Sequence, residues 1–369
     1  MTTTPHDLIR TCIGQYGIWA DATRYREQCW TRDLSLAMAP AAIKVAGEEG
    51  RKAVLRHLHS LAARQRKDGS IPILFLDGAV AHARFLVTKT VQSVRRGKVS
   101  FMLGRYLTGN LGRLTPGTKD SELHFVRAVT EYVGEAQILT QSMIGAMDYI
   151  RREILDDQGL FLGADWRDTM DRVLAEKACL SNNALWYGVL RQNGITSEAQ
   201  RLRTALTNRA CGLFGDYPGA SRPDPLGLAL GVLEGLFGPG HYGDVLDALD
   251  LVTSPCGVTI ECKHNPQSET ERDVIERTNG VVVWPFVVGY TILALRKMVR
   301  EIEATPQATG EHEAAVVRRL WRARAMLRDQ VGAMERIGLY EWIDPETGCG
   351  YGSSAQGWSA ALRVMTDAE

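Results

Sequence analysis

The sequence predicts an all-α protein, an (α/α)6 toroid of six inner and six outer helices with an inserted lid-like segment. Three observations lead there. Apolar residues recur with helical period along most of the chain, and few runs alternate as half-buried strands do. Segments that are apolar nearly all round are followed, again and again, by segments with one charged face. No linker rich in proline, glycine or serine divides the 369 residues, so a single domain is expected over 1–369 although the length would allow two.

The elements follow in order. "RDLSLAMAPAAIKVAG" (32–47) is the first inner helix and "EEGRKAVLRHLHSLAARQRK" (48–67) its outer partner. Residues 120–134 and 135–154 form the second pair, 182–194 and 197–211 the third, and 224–238 and 241–252 the fourth. The apolar stretch "GVVVWPFVVGYTILAL" (280–295) reads as a wholly buried helix, with 311–338 as its outer partner. A last apolar helix from about Gln356 pairs with the segment near Pro5 to Tyr16 and closes the ring. Repeated helix pairs that bury one layer against another build a continuous core in this way. Residues 70–119 have no counterpart in the pairing. Fifty residues between helices far exceeds the usual connection, so the segment is expected to be a lid that defines a leaving-group subsite.

Six polar clusters, "CWTRD", "TPGTKDSE", "LSNN", "SRPDP", "RTNG" and "SSAQGWS", each stand immediately before an inner helix. In an alternating toroid the inner helices run the same way, so the clusters converge on one mouth. Helix N-termini bring unpaired N–H groups and partial positive charge there, which suits a polyhydroxyl or anionic ligand.

Two loops over that mouth carry acids. "GADWRDTM" (163–170) holds Asp165, Trp166, Arg167 and Asp168, and the loop from Tyr340 holds Glu341. Inverting hydrolysis of a glycosidic bond needs one carboxylic acid to protonate the leaving oxygen and one carboxylate to activate water, about 6.5–9.5 Å apart. Asp168 and Glu341 are the candidates for acid and base, and Asp168 should carry a raised pKa from burial and from the second carboxylate. "DPETG" makes a good type I turn that accounts for Asp344 and Glu346, though not for Glu341 beside Trp342. Arg32, Asp33 and Asp120 match vicinal diols, and Trp30, Trp166, Trp284 and Trp358 offer indole faces for a pyranose. Asp165, Arg167, Asn182, Asn183, Asn279 and Gln356 complete the expected substrate contacts.

Composition excludes other classes. Basic and acidic residues balance at 43 each, so the overall field favours neither nucleic acid nor an anionic membrane. The seven cysteines include no CxxC pair, and reduced thiols in a cytoplasmic protein are expected. The opening "MTTTPHDLIRTCIGQYG" lacks the basic start and apolar core of a signal peptide, and residues 280–295 are shorter than the roughly 20 that span a membrane. His57 and His59, at i and i+2 on a helix, point to different faces, so neither a metal nor another cofactor is expected.

The motifs also carry a resemblance. "YREQCWTRD" followed by "QRKDGSIP" resembles the first inner helix and following turn of the (α/α)6 glycoside hydrolase clan, which includes the amylo-1,6-glucosidase domain of glycogen debranching enzymes, the neutral and alkaline invertases and related α-glucosidases. "DWRDTM" is similar to that clan's aromatic-x-Asp signature, which implies the general acid at Asp168. "YEWIDPETG" with "QGWSAA" resembles its C-terminal stretch, which implies the base at Glu341. "NNALWYGVL" is similar to a debranching-enzyme helix, with Asn182 where those enzymes commonly have an acidic residue. The resemblance implies an inverting hydrolase of a small α-glucoside, since no accessory module accompanies the toroid. Two other readings stay open. One is a phosphorylase, for which Arg277 and Lys263 would supply a basic pocket; the other is a non-catalytic carbohydrate-binding toroid.

Overall fold

Gly47 separates the first inner helix from its outer partner, where the hydrophobic pattern changes. In the computed structural model, which describes residues 4–85, 87, 120–132, 137–163, 165, 177–207, 222–261, 268–304 and 311–367, Gly47 has φ +55° inside an otherwise helical run. Only glycine adopts that conformation without strain, so the chain reverses there. Gly50 then lies so close to the Ala42 carbonyl that an added Cβ would collide with it. Small residues at the contact let the two helices approach.

Contacts gather the chain into two units, Met1–Glu153 with Ala355–Ala361, and Ile154–Ser354 with Leu362–Glu369. The first begins with α1 (Pro5–Cys12), capped by the Thr4 hydroxyl, which accepts the Asp7 N–H at 3.2 Å. Strand β1 (Gln28–Trp30) leads into a short helix α2 (Thr31–Asp33), a π-helical turn (Leu34–Met38) and α3 (Ala39–Ala62). Strand β2 (Leu74–Leu76) pairs antiparallel with β1, Cys29 opposite Phe75. Helices α4 (Ser121–Tyr132) and α5 (Gln137–Glu153) pack on each other and on α3. The expected lid, 70–119, is described only to Phe85 and at Val87; the remainder lies outside the described residues.

The second unit carries α6 (Leu180–Gln192) with α7 (Thr196–Thr207), and α8 (Pro225–Leu233) with α9 (Tyr242–Asp250). Every residue of α6 from Leu180 to Leu190 is buried, and α8 is buried from Pro225 to Val232. This matches the all-round apolar pattern of an inner helix, and each fully buried leucine or valine contributes about 1.5–3 kcal/mol. Three strand segments enclose a helix: β3 (Thr253–Ser254), β4 (Gly257–Glu261), α10 (Glu269–Arg277) and β5 (Val281–Val283). Then come α11 (Pro285–Ala304), α12 (Glu311–Arg336), β6 (Trp342–Ile343), β7 (Gly350–Tyr351) and α13 (Gly357–Thr366). A Cβ on Gly289 of α11 would lie 2.5 Å from that of Leu362 on α13, so glycine permits their contact.

Two features differ from the sequence pattern. The strands β3 to β7 form one five-stranded antiparallel sheet in chain order. At two to five residues each they are too short to display an alternating period. The apolar stretch from Gly280 is not helical throughout: Val281 to Val283 form β5, with Val283 opposite Thr259 and Ile343, and the helix begins at Pro285. Three β-branched residues favour the strand, and proline suits the first helical position.

Candidate active site

The hairpin β6–β7 presents the first acid. The Glu341 N–H donates to the Ser353 carbonyl at 2.8 Å, and the Ser353 N–H donates to Glu341 Oε2 at 3.0 Å. Glu341 is therefore tied to Ser353 by both its backbone and its side chain, and it is 3% exposed. Gly352, at φ +73°, turns the chain between them; a Cβ there would lie 2.6 Å from that of Glu341. Trp342 stacks on Tyr351 with centroids 4.7 Å apart, which stiffens the strands behind the acid. At the hairpin tip the Asp344 carboxylate accepts from the Glu346 N–H at 3.1 Å and the Thr347 hydroxyl at 2.5 Å. The Arg277 guanidinium donates to Asp344 at 2.7 Å and also to Glu346. Asp344 and Glu346 thus have the turn role that their sequence suggests.

A cavity of about 460 Å³ opens beside that tip, lined by Arg222, Glu261, Arg277, Asn279, Pro345 and Glu346 among others. These residues come from the "SRPDP" and "RTNG" clusters and from the last loop, so three of the expected mouth segments meet there. Asn279 reaches it from a left-handed turn at φ +52°, a conformation that asparagine tolerates better than most residues. Trp284 does not. It is 3% exposed, packed in the core and edge-on to Phe286 at 6.1 Å.

The loop with the second expected acid is anchored at its ends. Gly163 bridges Ala178 in parallel, its N–H donating to the Lys177 carbonyl at 3.0 Å. Asn183 accepts the Phe161 N–H at 2.9 Å and donates to the carbonyls of Phe161 and Cys179. Asn182 donates to the Gly163 carbonyl at 3.3 Å. Both asparagines therefore clamp backbone, as buried amides commonly do. Asp165, fully buried, accepts from the Ser181 hydroxyl at 2.7 Å. Trp166, Arg167 and Asp168 lie outside the described residues.

In the first unit Arg32 and Asp120 face each other. Arg32 Nε and Nη2 donate to the two oxygens of Asp120 at 2.8 and 3.0 Å, and His124 Nε2 lies 3.4 Å from Asp120 Oδ2. Burial alone would raise the Asp120 carboxyl, but the Arg32 guanidinium and His124 hold it well below the usual carboxylate range. The fork and the carboxylate complement one another, and the pair is buried. Asp33 is buried at the same helix head. Trp30 is half-buried, its indole N–H donating to Gln28 at 3.2 Å. With its amide oriented by the hydrogen-bond network, Gln356 accepts the Trp358 indole N–H at 2.7 Å and donates to Asp21 at 3.1 Å. Gln356 and Trp358 thereby pin the start of α13 to the Asp21 turn, where the Thr23 and Tyr25 N–H groups also bond. The C-terminal motif has a structural duty that its sequence did not announce.

No protein-family model matches the sequence, and no curated protein matches it. Solved structures do. A wild-type glycosidase superposes with a TM-score of 0.54 at 14% identity, over 98% of this chain and 94% of the other. A GH63 mannosylglycerate hydrolase from Thermus thermophilus, in complex with glucose, superposes with a TM-score of 0.54 at 15% identity, over 97% of each chain. The chain has the (α/α)6 glycosidase fold.

Among the buried acids that the sequence reading did not single out is Glu271, whose Oε1 accepts the Gly352 N–H at 3.3 Å. "SETE" (268–271) signals a helix cap, which Ser268 performs by accepting the Glu271 N–H at 3.1 Å. Nothing in the sequence links Glu271 to a glycine 81 residues away. Among the described residues no group of three or more His, Cys, Asp or Glu side chains is placed to hold a metal. No described helix is long and apolar enough to cross a membrane.

Proposed function

We propose that this protein is an inverting glycoside hydrolase of the cytoplasm that acts on a small α-glucoside, an oligosaccharide or a glucosylated small molecule. Glu341 is the general base and Asp168 the general acid. One observation carries the reading: in a chain with the glycosidase fold, Glu341 is a buried carboxylate with one oxygen oriented by a backbone N–H, on the loop that leads to the last helix. Its other oxygen removes a proton from water as the water attacks the anomeric carbon. Asp168 gives its proton to the departing oxygen, so one water is consumed and the anomeric configuration inverts. Asp33, Asn279, Trp30, Asp165, Trp166 and Arg167 supply sugar contacts.

A phosphorylase would need a cation to hold phosphate where the water stands. Of the two cations the sequence offered for that purpose, Arg277 already donates to Asp344 and Glu346, which favours water as the acceptor, and Lys263 lies outside the described residues. The test is product release from sucrose, maltose, isomaltose, trehalose, glucosylglycerate and mannosylglycerate, with and without phosphate, for wild type, Asp168→Asn and Glu341→Gln. Proton NMR of the first product anomer reports the stereochemistry. Phosphate-independent release of the inverted anomer, lost in both variants, is the expected result. Release that requires phosphate, or that survives Glu341→Gln, refutes the assignment.

A further inference from the structure

Two buried carboxylates are attached to two consecutive peptide groups. The Gly352 N–H donates to Glu271 Oε1 at 3.3 Å, and the Ser353 N–H donates to Glu341 Oε2 at 3.0 Å. Glu271 is 7% exposed and Glu341 3%. Gly352 sits in the left-handed region at φ +73° with its Cα against the Glu341 side chain. That conformation directs the Ser353 N–H at Glu341, and a glycine without a side chain has little of its own to keep it there. Glu271 is fixed from the other side: it occupies the first turn of α10, whose start is capped by Ser268.

From this geometry we propose that Glu271 is a positioning residue for Glu341, holding the 352–353 turn so that the Ser353 N–H keeps the Glu341 carboxylate in one orientation. The proposal rests on the reading of Glu341 as a base only for its effect on catalysis. The mechanical part stands on the hydrogen bonds alone. It also explains why Glu271 extends from α10 to Gly352, just after β7, instead of pointing to solvent like its neighbours Arg272 and Asp273, which are exposed.

Glu271→Gln and Glu271→Ala separate the possibilities, because glutamine keeps an acceptor oxygen and alanine removes it. Amide exchange of Gly352 and Ser353, followed by NMR in the full-length protein, reads the positioning directly. Alanine should speed exchange at both amides by about tenfold or more, while glutamine leaves the Ser353 rate near wild type. On a glycoside hydrolysed by wild type, alanine should lower kcat by roughly 10- to 100-fold with KM little changed, and glutamine should recover most of the loss. An unchanged Ser353 rate in the alanine variant overturns the proposal. So does a glutamine variant as slow as alanine with a displaced acid limb of the pH–rate profile, since Glu271 would then act through its charge. If no glycoside is hydrolysed by wild type, the base assignment fails and the exchange rates still decide the positioning role. Should alanine prevent folding, the glutamine rates and pH profile decide alone: a wild-type profile with protected amides upholds positioning, and altered ones reject it.

Discussion

Asp120 and Glu341 are both buried acids, but they are held in opposite ways. Asp120 meets a guanidinium fork and an imidazole, so a full positive charge keeps it ionised far into acid. Glu341 accepts from the Ser353 peptide N–H at the base of a hairpin, and a peptide dipole orients an oxygen with only a partial charge. The first arrangement suits a structural knot; the second orients a carboxylate in the way the proposed mechanism asks of its base. Burial of a carboxylate therefore does not mark a catalytic one; the partner decides.

The largest expected effect separates the two sites by readout. Glu341→Gln should lower kcat by about 10²- to 10⁴-fold, the usual contribution of a general base, with a small change in thermal stability. Asp120→Asn should do the reverse, costing about 3–5 kcal/mol by leaving Arg32 buried and uncompensated. Chemical denaturation would show it, and Arg32→Met combined with Asp120→Leu should cost less than either charge-breaking single change. A stable Asp120→Asn protein would dissolve the distinction drawn above.

Next comes pH. Burial pushes His57 down to about 3, and it also lowers His124 despite the offsetting bond from Asp120. Both bind protons more readily in the unfolded chain, so their contribution is intact above pH ~6.5 and declines below it by about 1.4 kcal/mol per pH unit for each histidine. For His57 the decline ends near its folded pKa of about 3. Asp120, lowered in the fold, adds its own loss only below the unfolded value of about 3.9. Denaturation midpoints between pH 4 and 7 should flatten in His57→Asn, where the amide oxygen can still accept the Ile18 N–H that His57 Nδ1 takes at 3.2 Å. The smallest effect belongs to Arg277→Gln. Its side chain is 41% exposed, and losing its pairs should cost at most about 1 kcal/mol and leave any phosphate-free activity in place.

Much of this could be read from the sequence, and the failures share a cause. The helix pairs were legible because a 3.6-residue period persists over a dozen residues, and the turn at Gly47 because glycine meets a change of pattern there. Glu341 stood out because the turn after it explained Asp344 and Glu346 and left it over. The β3–β7 sheet was hidden by strands too short to alternate. Asn183 and Glu271 were hidden for a different reason. Whether a polar side chain meets a sugar or a peptide group depends on which backbone folds against it, and in each case that backbone lies elsewhere in the chain.

The seam between Gln356 and Asp21 bears on how the molecule is made. Residues Ala355–Ala361 complete the unit that begins at the N-terminus, while Ile154–Ser354 are synthesised in between. At about 5–20 residues per second, the early unit waits roughly 10–40 s on the ribosome for its last helical turns. Throughout that interval the Ala20 carbonyl lacks the Gly357 N–H that it accepts at 3.0 Å in the finished fold. A nascent chain of this design closes its first unit only after the whole of Ile154–Ser354 has been made.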